Sequence, residues 1–506
     1  MAAESIRELL ARGRGDAPAL IAPGRAPLAF AALARHSERT VARLRALGVG
    51  RRDRVAIVLP NGPEMAAAFL TIAQAAATAP LNPGYKAEEF EFYLADLEPK
   101  ALVVQAGEDS AACAVAGRLG IGIIELRSER DREAGLFTLE TAAPARPAEG
   151  GPAAGDDVAL LLHTSGTTSR PKLVPLTQQN LAASAEGIAR TLVLGTGDRC
   201  LNVMPLFHIH GLMAGVLASL AAGGSVFLTP GFNALRFFAW LEESRATWYT
   251  AVPTMHQAIL ARAERNLDAV RAARLRFIRS SSSSLPPQVM AELERVFGCP
   301  VIESYGMTEA AHQMTSNPLP PAARKPGSVG LPAGPEVSVV DAAGRKLGAE
   351  TTGEVVIRGP SVTGGYLGNP EANAQAFTDG WFRTGDLGAM DADGYLRIIG
   401  RLKEIINRGG EKISPREVDE VLLDHPAVAQ AVTFALPHPK LGEEVAAAIV
   451  LREGASATES EIREFAQRRI ADFKVPRRVV FVAEIPKGPT GKLTRIGLAE
   501  KLGLVA

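Results

Sequence analysis

The run Leu162-His163-Thr164-Ser165-Gly166-Thr167-Thr168-Ser169-Arg170-Pro171-Lys172 crowds hydroxyl side chains around one glycine and closes on a lysine. It follows the apolar stretch Val158-Ala159-Leu160-Leu161-Leu162, which reads as a buried strand. Hydroxyls, exposed backbone N–H groups and one ammonium are the groups a polyphosphate needs from a loop. The common nucleotide loop, two glycines four residues apart followed by Lys-Ser/Thr, occurs nowhere in the chain. A flexible Ser/Gly linker has a similar composition, but a linker rarely follows an apolar strand so closely. The run reads as a phosphate-binding loop.

Other segments carry chemistry of the same kind. Glu303-Ser304-Tyr305-Gly306-Met307-Thr308-Glu309 follows the strand-like Pro300-Val301-Ile302 and offers an aromatic face for a base, a hydroxyl, and a carboxylate suited to Mg²⁺ beside phosphates. Trp381-Phe382-Arg383-Thr384-Gly385-Asp386 is expected to place Asp386 after a tight turn, where its two oxygens accept the hydroxyls of a ribose. Gly400-Arg401-Leu402-Lys403-Glu404 brings charges to a point where the sequence changes texture. Pro486-Lys487-Gly488-Pro489-Thr490-Gly491-Lys492 presents a lysine at the close of a rigid turn.

The elements that must position these residues are legible from periodicity. Apolar runs at residues 54–59, 101–104, 225–228 and 275–278 alternate with helical patterns such as residues 62–76, so the first 300 or so residues read as α/β layers with largely parallel sheets. Residues 142–157, rich in Ala, Pro and Gly, read as a surface linker. From about residue 330 short strands with frequent turns (337–340, 353–358, 395–400) indicate a β-rich subdomain. The last hundred residues alternate helices (415–423, 458–470) with strands (429–435, 444–450, 478–482), a small α+β unit. The fold class is α/β, with a large N-terminal domain over residues 1–400 and a small α+β domain over residues 401–506.

Bulk composition narrows the partners. The 506 residues carry 55 Lys+Arg and 55 Asp+Glu, a formal net charge of +0, which argues against nucleic acid or an anionic membrane surface. Three cysteines are too few and too scattered for a disulfide framework and suit a reducing compartment. Charges interrupt the N-terminal apolar residues, and no uncharged run reaches the length of a membrane span, so a cytoplasmic protein without membrane insertion is expected. Monomer and homodimer both remain open.

Taken in order, residues 164–172, 305–309, 384–386, 400–403 and 492 resemble the motifs of the adenylate-forming superfamily, which includes acyl-CoA synthetases, firefly luciferases and peptide-synthetase adenylation domains. The resemblance spans about residues 30–495. It implies two half-reactions: a carboxylate attacks the α-phosphate of ATP to give acyl-AMP and pyrophosphate, then a thiol displaces AMP. It implies that Thr164, Ser165, Gly166, Thr167, Thr168 and Lys172 cradle phosphates, and that Ser304, Tyr305, Gly306 and Thr308 hold the nucleotide. It also implies that Glu309 holds Mg²⁺, that Asp386 and Arg401 fix the ribose, and that Lys492 neutralises charge at the reacting centre, with Thr308 and Glu309 beside it. The C-terminal domain would swing about Lys403, bringing the turn at Gly409 and Gly410 to coenzyme A.

No carrier-domain attachment motif follows Lys492, so free CoA is the expected thiol. The acid should be set by His208 in Pro205-Leu206-Phe207-His208-Ile209-His210-Gly211, by Arg279 and the hydroxyl run with Ser281 and Ser282, and by His312. Fatty and aromatic acid ligases carry apolar sequence there, whereas hydroxyls and imidazoles favour a small polar acid. Residues 163–176, 248–254, 275–285, 308–330 and 407–415 are similar to the oxalate–CoA ligase branch of plants and fungi, departing from it at residues 281–283 and in the 142–157 linker. That branch implies oxalate, ATP and CoA as substrates. The alternatives are a medium-chain or aromatic acyl-CoA synthetase and, from another class, a non-catalytic nucleotide-binding protein.

Overall fold

The computed structural model describes residues 2–141, 146–164, 171–487, 493 and 495–505. Four sheets organise the chain. The first has strand order Phe137–Glu140, Gly122–Ser128, Ala101–Gln105, Arg54–Val58, Ala77–Pro80, Val158–His163, Leu173–Thr177. Its five inner strands are parallel and its two edges antiparallel. Val55, Ala56, Ile57 and Val58 are all buried, the continuous apolar run that a strand covered on both faces requires.

The second sheet has nine strands in the order Leu331–Pro332, His312–Ser316, Val301–Met307, Phe277–Ser280, Trp248–Ala251, Arg199–Asn202, Ser225–Leu228, Pro18–Ile21, Leu28–Ala29. Six are parallel, and antiparallel strands close both ends. One apolar cluster, with Leu70, Leu160, Leu212, Trp248 and Ile302 at its heart, joins these two sheets. Through it runs His210–Leu217, a fully buried π-helix. That wide helix is uncommon and marks functional regions when it occurs. Its glycines are needed for contact: a Cβ on Gly211 would lie 2.4 Å from the Pro205 carbonyl oxygen, and one on Gly215 2.7 Å from the Asn202 amide oxygen.

The third sheet, all antiparallel, is built from Glu336–Val340, Gly353–Arg358, Trp381–Met390, Phe377–Thr378 and Leu396–Arg401. The fourth contains Glu411–Ile413, Ile406–Arg408, Gly442–Leu451, Val428–His438 and Arg478–Phe481. Helices Pro415–Leu423 and Glu459–Gln467 pack on it, started by Ser414 with Pro at the first turn and by a Thr458/Glu461 capping box. Arg401 still belongs to the third sheet, so the chain crosses between sheets over residues 402–405, just beyond the expected 400/401 division. No helix among the described residues is long and apolar enough to cross a membrane.

Two expectations from the sequence shift. The strand expected at 275–278 begins two residues later, at Phe277; Arg276 before it gives its N–H to the Thr247 carbonyl and its side chain to Asp198 at 2.6 Å. Asp386 does not follow a turn. It lies inside the ten-residue strand Trp381–Met390, in a bulge where Thr384-Gly385-Asp386 bow away from Gly353–Arg358, with Gly385 at φ +72.

Candidate active site

The hydroxyl-rich run connects the antiparallel strands Val158–His163 and Leu173–Thr177, whose last pair is His163 with Leu173. Ser165, Gly166, Thr167 and Thr168 lie outside the described residues. Both ends of the connection are locked: the Thr164 N–H donates to the Lys172 carbonyl at 2.9 Å, and the Lys172 N–H to the Thr164 hydroxyl at 3.1 Å. His163 points away from the connection, 2.8 Å from Asp96 and edge-on to Tyr93.

Lys172 reaches over the ring of Tyr366, 4.4 Å from its centroid. The Tyr366 hydroxyl donates to Glu309 at 2.9 Å, so ammonium, phenol and carboxylate converge. Burial pushes the Glu309 carboxyl above its usual range, opposed by Tyr366, Arg401 and Lys172. Burial, with Lys403 nearby, lowers Lys172. Tyr366 was not anticipated; its only sign in the sequence is the preceding Gly364-Gly365. One buried carboxylate fits Mg²⁺, which commonly takes one or two carboxylates and completes its shell with substrate phosphates and water. Burial that disfavours the bare anion makes an added cation more welcome there.

Thr308 opens a single turn of 3₁₀ helix, Thr308–Ala310, and Tyr305 and Gly306 lie in the strand Val301–Met307, which runs on beyond the strand-like Pro300-Val301-Ile302. The Tyr305 hydroxyl bonds to Asp386, whose other oxygen is 3.0 Å from Arg401 Nε. Burial raises Tyr305, and the Asp386 charge raises Arg401. Tyr305, Asp386 and Arg401, far apart in sequence, thus form one unit. Ser304 is buried and its hydroxyl faces the Ser280 carbonyl at 3.4 Å.

A second polar group surrounds His210, the first residue of the π-helix. His210 Nδ1 is 2.9 Å from the Ser282 hydroxyl and Nε2 is 2.6 Å from the Thr250 hydroxyl. Its ring stacks on that of His312, centroids 4.9 Å apart at 22°. His208 is half-buried, and its Nδ1 accepts from the His210 N–H at 3.3 Å. Arg279 is fully buried, with Nη1 3.4 Å from both His210 Nε2 and Thr250 Oγ1 and Nη2 3.2 Å from Gln313 Oε1. Among the described residues no carboxylate pairs with Arg279, and its Nε has no hydrogen-bond partner. Burial pulls its pKa down to about 9. Ser281 is spent on structure: its hydroxyl donates to the Ser304 carbonyl at 3.0 Å. His210, Thr250 and Gln313 had not been singled out, because strand register and the π-helix, neither visible in a motif, bring them together.

Gly409 and Gly410 form the two-residue turn between Ile406–Arg408 and Glu411–Ile413, at φ +61 and +99. Both central residues of such a turn need positive φ, so turn geometry itself demands these glycines. Lys403 is exposed, between the third and fourth sheets. Lys492 lies outside the described residues, but Arg495 is held by Asp419 at 2.8 Å, Glu404 at 3.3 Å and the Thr433 carbonyl. This ties the end of the chain to the residue after Lys403.

The chain matches the AMP-binding enzyme family over residues 8–367 and the AMP-binding enzyme C-terminal domain over residues 417–492. It is 46% identical to an oxalate–CoA ligase of Arabidopsis thaliana, over 96% of this chain and 96% of that protein. It is 43% identical to an oxalate–CoA ligase of Saccharomyces cerevisiae, over 89% and 87% respectively. The crystal structure of ATP-bound MatB from Rhodopseudomonas palustris superposes with a TM-score of 0.88 at 28% identity, covering 99% of both chains. The chain therefore belongs to the AMP-binding, adenylate-forming enzyme family, in the branch that holds the oxalate–CoA ligases of plants and fungi.

Proposed function

We propose that this enzyme is an AMP-forming oxalate–CoA ligase, converting oxalate, ATP and CoA to oxalyl-CoA, AMP and diphosphate. The observation that carries the choice of acid is Arg279, a fully buried guanidinium with no carboxylate partner among the described residues. A buried cation without a counter-charge is costly, and a dianionic acid bound within its field supplies the missing negative charge. Near-full-length identity to oxalate ligases supports the same reading.

In the first half-reaction a carboxylate oxygen attacks the α-phosphorus, and the bond to the bridging oxygen of the leaving diphosphate breaks. Lys172 and the N–H and hydroxyl groups of residues 164–168 hold the phosphates, while Asp386 and Arg401 take the ribose and Tyr305 the base. Glu309 would hold Mg²⁺, which when bound would supply positive charge to the phosphates. Lys492 would act between the carboxylate and the α-phosphate, stabilising their combined negative charge. In the second, the thiol sulfur, its proton lost to solvent, attacks the acyl carbon and AMP leaves. Rotation about Lys403 withdraws Lys492 and presents the Gly409-Gly410 turn. The second carboxylate of oxalate rests against Ser282, His208 and His312, with the Arg279 charge behind them.

The test is diphosphate release with ATP and CoA over oxalate, malonate, glyoxylate, acetate, hexanoate and coumarate. Oxalate should give the highest kcat/KM. Turnover of hexanoate or coumarate with none on oxalate would overturn the choice of acid while leaving the two-step chemistry in place.

A further inference from the structure

We propose that Arg279 and Thr250 lock His210 in a single tautomer, and that this tautomer makes the Ser282 hydroxyl a dedicated hydrogen-bond donor to the bound acid. The inference rests on the reading of Ser282 as part of the acid site, and it assigns to His210, Thr250 and Arg279 a positioning role.

The argument is one of donor and acceptor accounting. A guanidinium only donates. Arg279 Nη1 approaches both His210 Nε2 and Thr250 Oγ1 at 3.4 Å, so Nε2 must offer a lone pair. The Thr250 hydroxyl, 2.6 Å away, donates to that same nitrogen. The ring proton therefore resides on Nδ1, which lies 2.9 Å from the Ser282 oxygen and donates to it. Ser282 thus receives its hydrogen bond from the imidazole, and its own hydrogen is free to be given outward. A carboxylate, which only accepts, is the matching group; an alkyl or aryl tail has nothing to receive that hydrogen.

Three features keep the arrangement from relaxing. Arg279 remains charged at neutral pH, since burial lowers it only to about 9, and its charge disfavours a second proton on the neighbouring ring. The orientation of Arg279 is set by Gln313, whose Oε1 accepts from Nη2 at 3.2 Å while its Nε2 donates to the Ala333 carbonyl at 3.0 Å. Stacking on His312 restrains the His210 ring. Ser282 itself stands at φ +75, an uncommon conformation for a residue with a side chain and one that persists where surroundings dictate it.

The first measurement is ¹⁵N–¹H correlation of the histidine side chains in the ¹⁵N-histidine-labelled full chain without substrate, with His210 assigned by the signals lost in His210→Gln. A bare Nε2 and a protonated Nδ1 from pH 6 to 8.5 is the expected result; a protonated Nε2, in either the other tautomer or the imidazolium, overturns the proposal. The second is steady-state kinetics of Thr250→Val and Thr250→Ser. Valine should raise the KM for oxalate about tenfold, the loss expected for one hydrogen bond to a charged group, with the KM for ATP within about twofold and serine close to the parent. An unchanged oxalate KM in Thr250→Val overturns the link from tautomer to acid. If the parent enzyme turns over hexanoate and not oxalate, the substrate reading falls, and the ¹⁵N spectrum still decides the tautomer.

Discussion

Glu303 holds one carboxyl oxygen bonded to the Leu285 N–H at 3.0 Å, and among the described residues the other has no hydrogen-bond partner. Burial raises its pKa to about 7, with Arg416 opposing and Glu420 assisting. A carboxyl moved from 4.5 to about 7 corresponds to roughly 3 kcal/mol. The folded state binds this proton more tightly than the unfolded chain does, so the contribution is present at low pH and is lost as pH rises from 4.5 to about 7. Thermal melting of Glu303→Gln should therefore fall less than the parent between pH 5 and pH 8; parallel curves would refute this. Asp386 is the second residue with a sharp expectation. Its two oxygens serve Tyr305 and Arg401, and Asp386→Asn removes the charge that holds both. The KM for ATP should rise on the order of tenfold or more in a diphosphate-exchange assay, with the KM for the acid little changed.

Elements, not isolated residues, explain why Tyr305 and Glu309 lie where they do. The strands Val301–Met307 and His312–Ser316 pair back to back around the turn Thr308–Ala310, and their register slips between Tyr305 and Gly306. At that slip the chains touch: a Cβ on Gly306 would lie 1.7 Å from the His312 carbonyl oxygen. Gly306→Ala must push His312 and its stacked partner His210 aside, so both diphosphate exchange and the KM for the acid should suffer, whereas Gly298→Ala, at an exposed helix end, should affect stability alone. Ala311 and His312 at φ +49 and +101 show that this turn is held under strain. The sequence marks the segment as important but not its form. A bulge at Thr384-Gly385-Asp386 or a slip at Gly306 depends on which strand lies alongside and in what register, and for the bulge that partner is some 30 residues away in the chain.

At the scale of the molecule, the two half-reactions meet at residues 402–405. Lys403 is exposed, and no described hydrogen bond uses its N–H. Lys403→Pro therefore breaks no described backbone hydrogen bond and takes away a charge that opposes Lys172, while fixing one backbone angle and restricting Leu402 before it. Adenylation, read by diphosphate exchange, should stay near the parent, and CoA-dependent turnover should fall on the order of tenfold or more, since it alone requires the swing. Equal loss in both assays would count against a hinge at this position. The sequence by itself determined the layered α/β class and the order of the phosphate, adenine and ribose segments, because those rest on local periodicity and on residues adjacent in the chain, and the resemblance those segments carry implied the chemistry of ATP and carboxylate. Only the tertiary structure decided that Tyr366 joins Lys172 to Glu309 and that Asp386 lies in a bulged strand. It alone showed that Arg279 meets no carboxylate among the described residues but stands behind His210. Those facts depend on strands, parallel and antiparallel, brought into register across tens of residues and on a π-helix threaded between two sheets, and no local pattern encodes either.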